Sequence, residues 1–74
     1  MDVRALFHTS DDGVETWHLL GFEDGSFWVE HTSPNGSKIL RFAVFVAREP
    51  DDSKLSKFAR AALTKALTEK QQQV

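Results

Sequence analysis

Residues 21–38 read GFEDGSFWVEHTSPNGSK, and this stretch decides the fold. Two turn signals, Glu23-Asp24-Gly25 and Pro34-Asn35-Gly36, bracket a run of strand formers from Ser26 to Thr32. Each signal ends in glycine, which adopts positive φ at no steric cost, after an Asp or Asn that tolerates it. A third signal of the same kind, Asp11-Asp12-Gly13, stands upstream at similar spacing. The intervals Val3–Thr9, Val14–Phe22 and Lys38–Ala47 are likewise rich in β-branched and aromatic residues. Short loops join neighbouring strands antiparallel, so the sequence predicts an up-and-down four-stranded meander.

Downstream the pattern changes. Glu49-Pro50-Asp51-Asp52-Ser53 breaks the last strand and offers Asp51, Asp52 or Ser53 as a helix cap. Leu55, Phe58, Ala59, Ala62, Leu63, Ala66 and Leu67 then recur at the spacing of one helix face. The periodicity predicts an amphipathic helix from Lys54 to Lys70, with Lys54, Lys57, Arg60 and Lys65 on its outer arc. The fold class is therefore α+β, a four-stranded antiparallel meander with one C-terminal helix packed on one sheet face. Residues 1–70 form the single domain, and 71–74 are expected to be a disordered tail. Between sheet and helix, residues 40–47 fit two patterns. Their β-branched and aromatic content favours a strand bent after Phe42, although Leu40, Ala43, Val44 and Ala47 also fit a helical stripe.

Composition narrows the function classes. The chain has 74 residues, 41% hydrophobic and 27% charged, which suits one small globular domain. It has no cysteine, so disulfides, thiolate metal sites and thiol nucleophiles are excluded. Its longest apolar run, Phe42 to Ala47, is far short of the roughly 20 residues of a membrane span, and no membrane partner is expected. Met1-Asp2-Val3-Arg4 opens the chain without an apolar leader, which sets the expected compartment as the cytoplasm. The net charge is only −2, but residues 1–37 hold seven acids against Arg4 alone, whereas 38–74 hold eight Lys or Arg against four acids. Such a bipolar chain can orient a charged partner or a second copy of itself.

Register follows from the loops. Reading Asp12-Gly13 and Asp24-Gly25 as two-residue loops, and Pro34-Asn35-Gly36 as three, sorts side chains into two faces. One holds Val3, Ala5, Phe7, His18, Leu20, Phe22, Phe27, Val29, His31, Ile39, Arg41, Ala43 and Phe45; the other holds Arg4, Leu6, His8, Glu15, Trp17, Leu19, Trp28, Glu30, Leu40, Phe42, Val44 and Val46. Neither face is polar, and one helix covers only one of them. With the helix on the first face, the second exposes Trp17, Trp28, Leu19, Leu40 and Phe42 inside a charged border of Arg4, Glu15 and Glu30. An apolar cluster rimmed with charge is the mark of an interface, and a domain this small gains from oligomerisation.

Catalytic and metal chemistry finds less support. This register sets His18 against His31 across neighbouring strands, but no third ligand completes a metal site, so neither metal nor cofactor is expected. Every serine has a turn-forming, strand-starting or capping role, and the separated glycines form no phosphate-binding loop. Glu15 and Glu30 are a conceivable carboxylate pair, without a pocket around them. Nucleic acid is the stronger rival. A meander followed by a helix resembles, in architecture alone, some single-strand-binding transcription cofactors. Trp17, Trp28 and Phe42 would stack bases with Arg4, Lys38 and Arg41 on phosphates, and the helix stripe Lys54, Lys57, Arg60 and Lys65 would meet phosphates or an acidic partner. The acidic first half argues against it. The sequence thus favours a non-enzymatic protein-interaction module, a homodimer joined through the open sheet face or a binder of another protein. The alternatives are a weak single-stranded nucleic-acid binder and a small enzyme or regulator whose site forms across a subunit interface.

Overall fold

The computed structural model describes residues 3–48 and 53–72, with side chains except at 53 and 70–72. Four strands, β1 (Val3–Thr9), β2 (Thr16–Gly21), β3 (Phe27–Ser33) and β4 (Gly36–Arg41), precede helices α1 (Phe42–Arg48) and α2 (Ser53–Gln72). The strands form one antiparallel sheet in the order β1-β2-β3-β4, the meander the turn spacing predicts. The α+β class and the sheet-packed C-terminal helix follow as expected.

Three local details set the register. The β2–β3 loop has three residues rather than two: Gly21 pairs with Phe27, and Phe22 and Ser26 close the loop around Glu23-Asp24-Gly25. Gly25, at φ +89°, takes the left-handed position that three-residue loops need. The β3–β4 loop has two residues rather than three, because Ser33 pairs with Gly36 across Pro34-Asn35. In β1 a β-bulge at Phe7 and His8 sets both residues against Trp17, so Leu6 pairs with His18 and His8 with Trp17. Each one-residue change reverses the faces beyond it. Relative to β1 and β3, strands β2 and β4 are turned over from the expected arrangement.

The consequence is a new division of side chains. Val3, Ala5, Trp17, Leu19, Phe27, Val29 and Leu40 share the helix-covered face, joined by Phe7 and His8 at the bulge. Arg4, Leu6, His18, Leu20, Trp28, Glu30, Ile39 and Arg41 share the other. The two tryptophans therefore lie on opposite sides of the sheet. His18 and His31 are separated in the same way, His18 opposite Glu30 and His31 opposite Trp17.

Residues 42–48 are helical, which corrects the expected strand through Ala47. The β3 ladder explains why. Arg41 pairs with Trp28, one residue from the start of β3, so a strand beyond it would leave its backbone groups unpaired. Coiling satisfies them internally. It also brings Phe42, Phe45 and Val46 onto the core at helical spacing, while Ala43, Val44 and Ala47 face outward. That is the reverse of the helical stripe read from the sequence.

The core joins Trp17, Val29, Phe45, Leu55 and Ala59, with Phe7, Leu40, Phe42 and Val46 packed around it. α2 lies mainly along β1, and α1 closes the sheet over β3 and β4. At 20 residues α2 is about 30 Å long, against about 24 Å for β1, so it outruns the sheet. Leu55, Ala59 and Ala66 are buried as the stripe predicts, but Phe58 and Leu67 are 42% and 43% exposed. α2 continues through Gln71 and Gln72. The proposed break and caps at Glu49, Pro50, Asp51 and Asp52, and the end of the expected tail at 73–74, lie outside the described residues.

This packing ranks the phenylalanines. Phe45, 2% exposed, should cost about 3–5 kcal/mol on truncation to alanine, whereas Phe58→Ala should cost about 1 kcal/mol. Urea denaturation of both variants checks the order. Equal losses would mean that α2 is docked through Phe58 after all.

Candidate functional site

The face that neither helix covers is built as cross-strand rows. Arg4, Leu20, Trp28 and Arg41 form one row across the sheet, and Leu6, His18, Glu30 and Ile39 form the next. Thr9, Thr16, Thr32 and Ser37 make a third, a line of hydroxyls towards the β3–β4 turn. Leu20, between Arg4 and Trp28 in its row, is only 4% exposed although it lies on this face. Leu6 and Ile39, on the two edge strands, are 55% and 50% exposed.

Trp28 is held from three directions. Its indole N–H donates to Ser26 Oγ at 3.0 Å, and Phe22 meets it edge-on with centroids 6.3 Å apart. The Arg41 guanidinium lies 5.0 Å from the ring centroid, a cation–π geometry. A half-buried aromatic held this firmly loses little side-chain freedom when a partner packs on it.

Glu30 is the electrostatic centre. Its Oε1 accepts from Arg4 Nη2 at 3.3 Å and lies 3.9 Å from His18 Nδ1. The exposed Arg4 pair contributes less than about 1 kcal/mol. His18 Nδ1 is itself buried without a hydrogen-bond partner. Burial lowers the His18 pKa below the ordinary 6.5; the Arg4 charge acts in the same sense and Glu30 opposes both.

Of the residues assigned to the interface from sequence, Arg4, Trp28 and Glu30 do meet on the open face. Trp17, Leu40 and Phe42 do not: they pack in or against the core on the helix side. Missed from sequence were Leu20, Ile39 and Arg41 as neighbours of Trp28, which only the true register reveals; Leu6 shares the Trp28 face in both registers. The cations Lys54, Lys57, Arg60 and Lys65 are exposed on α2, on the far side of the sheet from Trp28. The imagined carboxylate pair is split too, for Glu15 bonds His31 Nε2 at 3.0 Å on the helix side. There His8 and His31 flank Trp17, His31 stacked at 4.4 Å and His8 tilted at 5.1 Å, and Phe58 stacks on His8. Three serines are engaged in turns, Ser10 with Asp12, Ser26 with Asp24, and Ser33 with the Gly36 carbonyl. Among the described residues no group of three or more His, Asp or Glu is placed to hold a metal. No known family, curated protein or solved structure matches the chain.

The lowered His18 pKa links this face to stability. Unfolded His18 takes up a proton near pH 6.5, before the folded chain does, so acid favours unfolding. Its contribution is complete above pH 6.5 and is lost as pH falls through the folded-state value. Melting temperatures from about pH 8 to about pH 5 should fall more steeply for the parent than for His18→Gln. Parallel curves would show that His18 is not the responsible group.

Proposed function

We propose that this chain is a non-enzymatic protein-interaction module that pairs with a second copy of itself through the open sheet face. The observation that carries the reading is the uncovered row system itself: an anchored tryptophan with two half-exposed aliphatic residues, Leu6 and Ile39, on a face no helix covers. Self-pairing through a two-fold axis requires one patch to complement itself. This face does so in charge, because Arg4 and Arg41 share it with Glu30. Need supports it as well as fit. Among the described residues eight apolar side chains are buried, two of them alanines, a small core for 74 residues.

The nucleic-acid reading lacks a coherent surface. Base stacking would use Trp28, but of the arginines beside it Arg4 is paired with Glu30 and Arg41 lies over the indole, the lysine and arginine stripe of α2 faces the other way, and the net charge is −2. No described helix is long and apolar enough to cross a membrane. A cytoplasmic location is part of the proposal, since a chain without cysteine needs no oxidising compartment to fold.

Sedimentation at high micromolar concentration tests the reading. The parent should be dimeric. Ile39→Asp, at an exposed edge position, should weaken association about tenfold or more while leaving the circular dichroism spectrum unchanged. A monomeric parent, or an Ile39→Asp variant that associates as before, would remove the open face as the interface. Salt-sensitive retention on single-stranded oligonucleotide, lost in Trp28→Ala, would replace the proposal by its rival.

A further inference from the structure

The helix side of the sheet carries a separate hollow of about 320 Å³ where β2, β3 and β4 meet α1. Its inner wall is apolar and rigid: Trp17 is 9% exposed, Val29 1% and Phe45 2%, with Leu40 beside them. Its polar lining is of one kind. His31, Lys38 and Arg48 stand round it, and among the described residues no carboxylate lines it. His31 and Lys38 are cross-strand partners, which fixes them side by side. Glu15 holds the His31 ring through Nε2, and the ring lies parallel to Trp17 within 5°. Lys38 and Arg48 have no ion-pair partner among the described residues. Two cations beside a tryptophan wall are unusual provision in a chain whose net charge is −2. A second hollow of about 250 Å³ shares His31 and Lys38 and is lined by Ser33, Asn35 and Ser37, so hydroxyl and amide groups lie next to the cations.

We infer that this hollow is a binding site for a small aromatic carboxylate, the ring against Trp17 and Phe45 and the carboxylate between Lys38 and Arg48. The size fits, since small-ligand pockets begin at about 300 Å³ and combine apolar walls with a few convergent polar groups. Charge-assisted contacts to the ammonium and guanidinium supply the preference for an anion. A neutral ring of the same shape would gain the apolar wall alone. The site lies across the sheet from the self-association face, so either proposal can fail without the other.

Amide NMR spectra of the full chain, titrated with naphthoate at neutral pH, test it, with naphthalenemethanol as the uncharged control. Naphthoate should produce saturable shifts at the Trp17 indole N–H and the amides of His31, Lys38 and Arg48, and bind at least about tenfold more tightly than the alcohol. Lys38→Ala and Arg48→Ala, both at exposed positions, should each weaken naphthoate about tenfold without altering the rest of the spectrum. No saturation at millimolar naphthoate would overturn the inference. So would equal binding of acid and alcohol, unchanged affinity in both variants, or shifts centred on Trp28.

Discussion

Backbone register is the constraint on which everything else in this molecule rests. A strand presents alternate side chains to alternate faces, so one residue more or less in a loop exchanges a strand's whole apolar set. Here the three-residue turn at Glu23-Asp24-Gly25, the two-residue turn at Pro34-Asn35 and the bulge at Phe7-His8 together place Trp17 beneath the helices and Trp28 on the open side. The turns are reinforced locally. Ser26 donates both its amide and its hydroxyl to Asp24, which holds the Asp24 carboxyl below the ordinary carboxylate range. The same pairing of Ser10 with Asp12, joined by the Val14 amide, lowers Asp12 in the first turn.

From that register the packing follows. The covered face gathers Trp17, Leu19, Val29 and Leu40, and two helices divide it between them. α2 takes the β1 edge, and α1 takes β3 and β4, where the last strand runs out of partner. The helical turn at Phe42 is thus a result of sheet geometry rather than of local preference. It also places Phe45 and Arg48 on the hollow that Trp17, His31 and Lys38 line from the sheet.

The strands, their order and the long helix were legible because each rests on a local signal: positive-φ glycines, β-branched runs and an apolar stripe at helical spacing. The faces were not legible. Asp24-Gly25 reads equally well as two residues or as part of three, and nothing in Leu6-Phe7-His8 announces a bulge. The error therefore fell on Trp17 and Leu40, which the register carried into the core, and on Phe42, which α1 carried there, while Arg4, Trp28 and Glu30 kept their place together. Residues 40–47 misled for a different reason. Phe42 to Ala47 has strand composition, and only the end of the β3 ladder, a tertiary fact, makes it helical. The hollow beside Trp17 was invisible for both reasons, since the β3–β4 register brings Lys38 to it and α1 brings Arg48.

The two sides of the sheet thus carry different chemistry on one scaffold. One side is a mixed apolar and charged surface centred on Trp28 and Glu30; the other is a core with a cationic opening. The central claim is that the Trp28 side meets its own copy. Isotope-filtered NOE spectra of a mixed labelled and unlabelled sample test it most directly, because they report only contacts between chains. Self-pairing through this face should give intermolecular NOEs from the Trp28 ring and from the methyl groups of Leu6 and Ile39. Intermolecular NOEs confined to Phe58 and Leu67 on the α2 flank, or none at concentrations where the chain is dimeric by sedimentation, would contradict it.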